Sequence, residues 1–275
     1  MRGGRGGPAM SIITISRGTA SGGQALAELV AAKLRWPCLS NEVIVEAAKR
    51  YSVPEPELVK AFETAPTFWE KLTASRRVYL TFVQAAMCEY AVHGNLVYHG
   101  HAGHELLPGI SHVLKVRLVA PMESRIEMVM ERHPHLDRKG AIRYIQQVDE
   151  ERASRMRYLF GVDWRDPHHY DLVLNLDKLT LETAADLVIQ ASQWEEFQPT
   201  TASMRALQNL ALSSRIRAAL DAHPQLSPYD IGVDVADGVV TLSGTLPTEE
   251  AIRAVVATAE HASGVTRIVN QLVRK

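Results

Sequence analysis

The sequence predicts a three-layer α/β domain with a parallel sheet, followed by a small α+β domain. Short apolar runs typical of strands alternate with helical patterns over residues 11–193. The first of these strands runs into a loop of small residues and then into an amphipathic helix that reaches about Leu34. Beyond residue 207 the order changes to helix, two strands, helix and strand, within about 70 residues, which is enough for a small core.

The composition is that of a soluble globular protein, with 46% hydrophobic and 22% charged residues among 275. A net charge of −1 argues against a nucleic-acid partner. The two cysteines, Cys38 and Cys88, fit neither a disulfide nor a metal framework, which favours a reducing cytoplasm. No apolar run reaches the ~18 residues of a membrane span, and no signal peptide is visible.

Four segments are expected along the chain. Residues 1–10 form a Gly- and Arg-rich leader that we expect to be disordered, with an RGG-type nucleic-acid contact as the alternative interpretation. Residues 11–193 form the α/β domain, residues 194–206 a linker, and residues 207–275 the small domain.

Each element of the α/β domain has its own signal. Helical spacing of apolar residues and capping residues predict helices from Asn41 and over residues 55–63, 67–93, 124–132, 137–159 and 180–193. β-branched runs predict strands at residues 95–99, 113–119 and 171–175. Ligands of parallel sheets bind outside the carboxyl ends of the strands, where the loops 16–23, 99–104 and 119–121 are expected.

The small domain is predicted from alternation and turn chemistry. Ile231, Val233 and Val235 alternate along a strand, and Asp237 with Gly238 forms a two-residue hairpin turn. Thr248 caps the second helix, and a last strand covers residues 265–273.

The loop after the first strand is the principal candidate for function. Ser21, Gly22 and Gly23 leave backbone N–H groups free at a helix start, an arrangement that binds phosphate. The loop lacks the Lys and Ser/Thr of the G-x-x-x-x-G-K-[ST] pattern, because Gly23 and Gln24 stand in their places. Arg17 is the only cation of the loop and could partly replace the lysine. The alternative is a Gly-rich turn that merely lets the helix and the sheet pack closely.

Two further clusters of polar residues are candidates for a functional site. His99, His101 and His104 form an H-x-H-x-x-H pattern, for which a polar substrate loop is favoured over a zinc site, so that no metal site is predicted. Asp149, Arg152 and Arg155 recur at i, i+3 and i+6 on a long helix. They form either a phosphate-gripping face or a solvated, salt-bridged one.

Residues 11–193 resemble the cytidylate kinase-like family, a branch of the P-loop nucleoside monophosphate kinases. The resemblance is carried by Ile-Thr-Ile-Ser-Arg at 13–17 with Ser-Gly-Gly at 21–23, and by residues 119–126. It is densest at residues 149–153 and 160–175. Members of this branch often lack the Walker lysine as well.

The resemblance implies a phosphotransferase that uses ATP and Mg²⁺, with a CMP-type acceptor. It matches Arg17 to the phosphate loop and Arg125, Asp149 and Arg152 to the charged positions around the transferring phosphate, and we expect all four to be catalytic. It assigns the phosphate loop to Gly18, Ser21, Gly22, Gly23 and Gln24. Ser40, His101 and Arg155 are the expected acceptor contacts, although the family usually has an acidic residue near 40 and an arginine at 101.

Residues 207–275 resemble the BON domain, a small bacterial module associated with membranes, phospholipids or other ligands. The matching residues are the alternating run at 231–244 and Gly264, Val265, Ile268, Val269 and Asn270. The alternative is an oligomerisation appendage. For the whole chain we expect either a cytoplasmic kinase acting on nucleoside mono- and triphosphates, or a nucleotide-binding regulatory protein without catalysis. A scaffold that works through its C-terminal module is the third hypothesis.

Overall fold

A computed structural model describes residues 11–63, 75–100 and 102–275, and for residues 60–63 and 75–77 only the backbone. The predicted leader, residues 1–10, and His101 therefore lie outside the described residues. So do residues 67–74 of the helix predicted at 67–93.

The α/β domain is built on a five-stranded sheet in which every pairing is parallel and the order is β2-β3-β1-β4-β5. Its strands are β1 (Ile12–Arg17), β2 (Cys38–Leu39), β3 (Leu96–Tyr98), β4 (Val113–Val119) and β5 (Leu172–Asn175). The central strand β1 thus places the following loop between the ends of β3 and β4. This arrangement confirms the predicted parallel sheet.

Helices cover both faces of this sheet, and the alternation of side chains along β1 explains why. Ile13 and Ile15 face one core, packed against the helices α1 and α7, while Ile12 faces the other, packed against α2 and α4. The helices are α1 (Gly23–Leu34), α2 (Glu42–Tyr51), α3 (Glu55–Glu63), α4 (Ser75–Ala91), α5 (Met122–Arg132), α6 (Arg138–Phe160) and α7 (Leu181–Ser192). In the described part of the chain, no helix combines the length and the apolar character needed to cross a membrane.

The helix boundaries follow the predicted caps. The Asp137 carboxylate accepts a hydrogen bond from the Gly140 N–H at the start of α6. The Thr180 hydroxyl likewise accepts from the Thr183 N–H before α7. Such side chains satisfy N–H groups that the first helical turn leaves without partners, which fixes where each helix begins.

The small domain has the predicted αββαβ order: α8 (Thr201–Ala222), β6 (Gly232–Ala236), β7 (Val239–Leu246), α9 (Glu249–Glu260) and β8 (Arg267–Arg274). Strand β7 pairs antiparallel with β6 and parallel with β8. The hairpin turn is formed by Asp237 and Gly238, both with positive φ (48° and 81°), as a type I′ turn requires.

Helix α8 differs from the prediction in two ways. It begins at Thr201 rather than at 207, because Thr200 and Ser203 form a reciprocal capping box, so the second half of the predicted linker 194–206 is helical. It also belongs to both cores. Leu207 and Ala211 pack in the α/β domain against α4, whereas Ile216 and Leu220 pack in the small domain.

Candidate active site

The loop between β1 and α1 forms a cradle of backbone N–H groups at the carboxyl edge of the sheet. Ala20 and Gly22 both adopt left-handed backbone conformations, with φ of 56° and 81°, and Gly22 caps helix α1. The Ser21 hydroxyl donates to the Gly18 carbonyl at 2.8 Å, which closes the loop on itself. The described residues supply no acceptor for the N–H groups of Gly22, Gly23 and Gln24. These groups therefore point a partial positive charge at any anion bound above α1.

Two helices hold the tip of this loop. On α6, the Asp149 carboxylate accepts from the Thr19 N–H at 2.9 Å, while on α5 the Arg125 Nε donates to the Thr19 carbonyl at 2.7 Å. Arg125 and Asp149 also pair with each other at 2.5 Å, and both side chains are largely buried. Burial alone would raise the pKa of Asp149, but the hydrogen bonds from Thr19 and Arg125 outweigh it and the pKa is lowered.

Arg152 fixes the base of the loop from the same face of α6. Its guanidinium donates to the backbone carbonyl of Arg17, one helical turn after Asp149 contacts Thr19. Burial, followed by repulsion from Arg17, lowers the pKa of Arg152 to about 10, so that it stays cationic at neutral pH. The predicted one-sided face of α6 is therefore real for Asp149 and Arg152, and it faces the loop rather than solvent.

Arg17 enters the site across the residue that replaces lysine. A β-carbon on Gly23 would lie 2.6 Å from Cβ and 2.9 Å from Cγ of Arg17, so the stem of Arg17 runs directly over Gly23. Beyond it, the Arg17 guanidinium donates to the His99 carbonyl at 3.2 Å, at the end of β3. Burial lowers the pKa of Arg17, and an arginine guanidinium stays protonated in proteins. The loop thus has its cation, supplied from position 17.

Three cavities surround the loop. One of about 250 Å³, on the β4 side, is lined by Gly18, Ser21, Arg117, Leu118, Val119, Ala120, Arg125, Asp149, Trp164 and Arg165. One of about 380 Å³, on the β2 side, is lined by Arg17, Gln24, Glu28, Cys38, Ser40, Asn41, Glu42, His99 and Gly100. Between them lies a small cavity of about 20 Å³, lined by Ser16, Arg17, Gly100, Ala102, His104, Arg152, Met156 and Trp164.

Most of the residues predicted for the site converge here. Ser40 and Gln24 face the larger cavity, where the Ser40 N–H donates to Glu42 and the Gln24 amide to Glu28. Arg155 is buried on α6 but lines none of the three cavities, so it is not brought to the predicted acceptor site. His101 lies outside the described residues.

Arg117 and Trp164 belong to the site although sequence reasoning did not select them. The guanidinium of Arg117, in the middle of β4, stacks over the Trp164 ring at 4.3 Å and donates to the Trp164 carbonyl at 2.5 Å. The sequence did carry a signal for Arg117, since an arginine inside a strand of buried apolar residues needs a partner. Trp164 lies in a loop and has no periodic signal, but it belongs to the segment 160–175 in which the resemblance is densest.

The described residues next to the loop do not form a Mg²⁺ site. Both Asp149 oxygens are engaged, by Thr19 and Arg125, and position 24 carries an amide in place of a Ser/Thr hydroxyl. Mg²⁺ prefers carboxylate and phosphate oxygens together with water, so this loop offers the ion no free protein ligand of that type. Among the described residues, no three His, Cys, Asp or Glu side chains form a group able to hold a metal.

A parallel sheet in the order β2-β3-β1-β4-β5, with a Gly-rich loop after its central strand and arginines converging on it, defines an α/β domain with the architecture of a P-loop kinase. The chain belongs to the cytidylate kinase-like family, whose model matches residues 12–178. Residues 209–275 match the BON domain.

Individual relatives are distant. A cytidylate kinase of Sulfolobus acidocaldarius is 28% identical over 180 residues, which cover 64% of this chain and 91% of the relative. A cytidylate kinase of Staphylothermus marinus is 28% identical over 102 residues, 36% of this chain and 55% of that protein. The crystal structure of an uncharacterized protein from Eubacterium ventriosum superposes with a TM-score of 0.54 at 22% identity, covering 66% of this chain and 98% of that one. This likeness concerns the fold of the α/β domain.

Proposed function

We propose that the protein is a phosphotransferase that moves the γ-phosphoryl group of ATP to a nucleoside monophosphate, with CMP or dCMP as the default acceptor. The observation that carries the proposal is the convergence of Arg17, Arg125 and Arg152 on a loop with free N–H groups at a helix start. Phosphoryl transfer needs positioning and charge neutralisation more than covalent chemistry from the protein, and arginines provide both.

We assign one substrate to each of the two larger cavities. The cavity on the β4 side contains Gly18 and Ser21 of the loop and is assigned to ATP, and the cavity on the β2 side contains Ser40 and is assigned to the monophosphate. ATP supplies the activated phosphoryl group. In the transfer, an oxygen of the acceptor phosphate forms a bond to the γ-phosphorus while the bond to the bridging oxygen breaks, and ADP departs with that electron pair. The acceptor oxygen is already anionic, so no proton has to be removed.

A nucleotide-binding regulatory protein without catalysis is the second candidate. It is favoured by one specific observation: Asp149, the acidic residue at the loop, is fully engaged with Thr19 and Arg125. A protein that binds nucleotides but holds its carboxylate in this way would sense them rather than convert them.

One experiment separates the two candidates. Purified full-length protein is incubated with Mg-ATP and CMP, dCMP, UMP or AMP, and ADP release is followed while binding is measured by isothermal titration. Turnover with a monophosphate supports the kinase. Binding without turnover supports the regulatory protein, and absence of both binding and turnover overturns both.

The remaining assignments extend this proposal. The cytoplasm is the proposed location, because Cys38 and Cys88 are both free thiols. The BON domain is proposed to bind a small ligand or a phospholipid. Helix α8 packs in both cores, so it would transmit the effect of that binding to the α/β domain.

A further inference from the structure

The small cavity of about 20 Å³ is placed between the two proposed substrate cavities. It shares Arg17 and Gly100 with the cavity on the β2 side, and it shares Trp164 with the cavity on the β4 side. A volume of this size holds a single water molecule or one oxygen atom of a ligand. The small cavity therefore shares walls with both large cavities.

Two residues that line this cavity, Trp164 and His104, each carry a buried polar atom without a hydrogen-bond partner among the described residues. The Trp164 side chain is only 3% exposed, and its Nε1–H has no acceptor among the residues that the structure describes. The buried His104 Nε2 likewise has no hydrogen-bond partner there, although a Glu105 carboxylate oxygen lies 3.3 Å away outside bonding geometry. A buried donor without an acceptor is costly, so such groups usually mark a place where a ligand or water binds.

The Trp164 indole is held rigidly in this place. Its backbone carbonyl accepts hydrogen bonds from Arg117 at 2.5 Å and from the Tyr170 hydroxyl at 2.7 Å. Its ring packs against Ala153 and Met156 of α6, and the guanidinium groups of Arg117 and Arg152 stand over the ring, 4.3 and 5.3 Å from its centroid. A donor fixed in advance in a water-poor site is the arrangement that stabilises negative charge on oxygen most effectively.

The charges around the cavity indicate whether a bound ligand oxygen would be anionic or neutral. Arg17 and Arg152 both line it and are cationic. Burial lowers the pKa of His104 to about 4, so that its imidazole is neutral at pH 7. The Ser16 hydroxyl on the same wall is bonded to Tyr170 at 3.1 Å. The Glu105 carboxylate lies beside His104 but is not among the lining residues, whereas Arg17 and Arg152 are, so an anionic oxygen is favoured over a neutral one.

We propose that this cavity is an oxyanion pocket, and that Trp164 is a substrate-contacting residue whose Nε1–H donates to a phosphoryl oxygen held by Arg17 and Arg152. The proposal rests on the proposed function, because it places the pocket at the point between donor and acceptor. It adds a neutral donor to the arginines, at a position where a further charge would be repelled.

The test uses Trp164→Phe in the full-length protein, which keeps an aromatic ring beside both arginines and removes the N–H donor together with part of the indole ring. CMP, cytidine and inorganic phosphate are titrated calorimetrically into the wild type and the variant. We expect CMP and phosphate to bind the variant about tenfold more weakly, the range typical of a hydrogen bond to a charged group, and cytidine to bind it unchanged. Trp194→Phe, on a half-exposed tryptophan remote from the site, is the matched control and should change none of the three.

The outcomes are distinct. If the cavity holds only a structural water, the variant has an altered melting temperature but unchanged affinity for CMP and phosphate, which overturns the proposal. An equal loss for CMP and cytidine overturns it too, because the contact would then be to the nucleoside. If Trp164→Phe weakens the binding of CMP and phosphate but the wild type shows no turnover, the pocket is supported and the proposed kinase function is refuted. If the wild type turns over a monophosphate but Trp164→Phe leaves phosphate binding unchanged, the kinase function is supported and the pocket is refuted. A wild type that binds none of the three ligands also overturns the pocket.

Discussion

The stem of Arg17 lies over the α-carbon of Gly23, the residue that replaces the lysine of the usual phosphate-loop pattern. The two positions are therefore coupled. A side chain at 23 would collide with Arg17, and Arg17 can reach the His99 carbonyl only because residue 23 has no β-carbon.

This coupling predicts the behaviour of a residue exchange. Gly23→Lys alone should displace Arg17, and Arg17→Gly alone should remove the cation, each weakening ATP binding by about tenfold or more. The double variant R17G/G23K recreates G-x-x-x-x-G-K and should recover most of the loss, because the lysine then occupies the space that Arg17 vacates. Dissociation constants for ATP in a double-mutant cycle measure the coupling. Additive losses would contradict it.

The clamp on Thr19 predicts a stability effect at Asp149. Asp149→Asn keeps an acceptor for the Thr19 N–H but leaves the buried Arg125 without its counterion, so the free energy of unfolding should fall by about 1–3 kcal/mol. Glu150→Gln, on the adjacent but exposed residue, should change it by less than about 1 kcal/mol. Denaturant titration at pH 7 checks both, and equal effects would argue against the clamp.

The ion pair between Arg125 and Asp149 also predicts how the free energy of unfolding changes at low pH. The pKa of Asp149 is lowered in the folded protein, so its stabilising contribution is complete above the unfolded pKa of about 3.9. It is lost as the pH falls through the folded pKa. The difference in stability between wild type and Asp149→Asn should therefore be constant at neutral pH and shrink only in strong acid.

The buried His104 is expected to make the free energy of unfolding depend on pH in a higher range than Asp149 does. Its pKa is lowered to about 4 by burial, with Lys115, His169 and Arg117 acting in the same direction. The unfolded chain, with an ordinary value near 6.5, binds the proton first, so stability should be complete above that pH and decrease between about pH 6.5 and 4. The contribution is on the order of 3 kcal/mol, since each pH unit corresponds to about 1.4 kcal/mol.

His104→Gln removes this titration, so unfolding free energies measured from pH 7.5 to 4 should vary less in the variant than in the wild type. His99 and His112, whose pKa values are also lowered by burial, contribute in the same sense and leave a residual slope. His261, exposed at the end of α9, gives the matched variant His261→Gln, whose profile should follow the wild type. A His104→Gln profile as steep as that of the wild type would contradict the assignment.

Helix α8 predicts that a residue of the C-terminal segment stabilises the α/β domain. Leu207 is fully buried in the core formed with α2 and α4, so Leu207→Ala should cost about 2–5 kcal/mol. The exposed Val273 on β8 supplies the control, Val273→Ala, with an expected effect within about 0.5 kcal/mol. Hydrogen exchange of the α4 amides would report the loss locally. Unchanged α4 protection in Leu207→Ala would mean that the two domains are independent.

The sequence predicted the regular elements well because their signals are local. The β-branched run before Arg17, the cap at Thr180 and the turn at Asp237 and Gly238 each depend on residues within a few positions, and each element lies where these signals put it. The start of α8 was placed too late because polar Thr200 and Ser203 are typical of a linker as well as of a capping box.

The family and the position of the phosphate-type loop can be predicted from the sequence alone, since strand, turn and helix start are adjacent along the chain. It also selected Asp149 and Arg152, whose spacing of three places them on one helix face. The tertiary structure decided what these residues contact. The hydrogen bond from Arg125 to the Thr19 carbonyl, the engagement of Asp149 with Thr19 and the stacking of Arg117 on Trp164 join elements that lie far apart in sequence. Periodicity and spacing describe a chain segment by itself, whereas these contacts exist only once β1, α5, α6 and the loop at Trp164 have packed together.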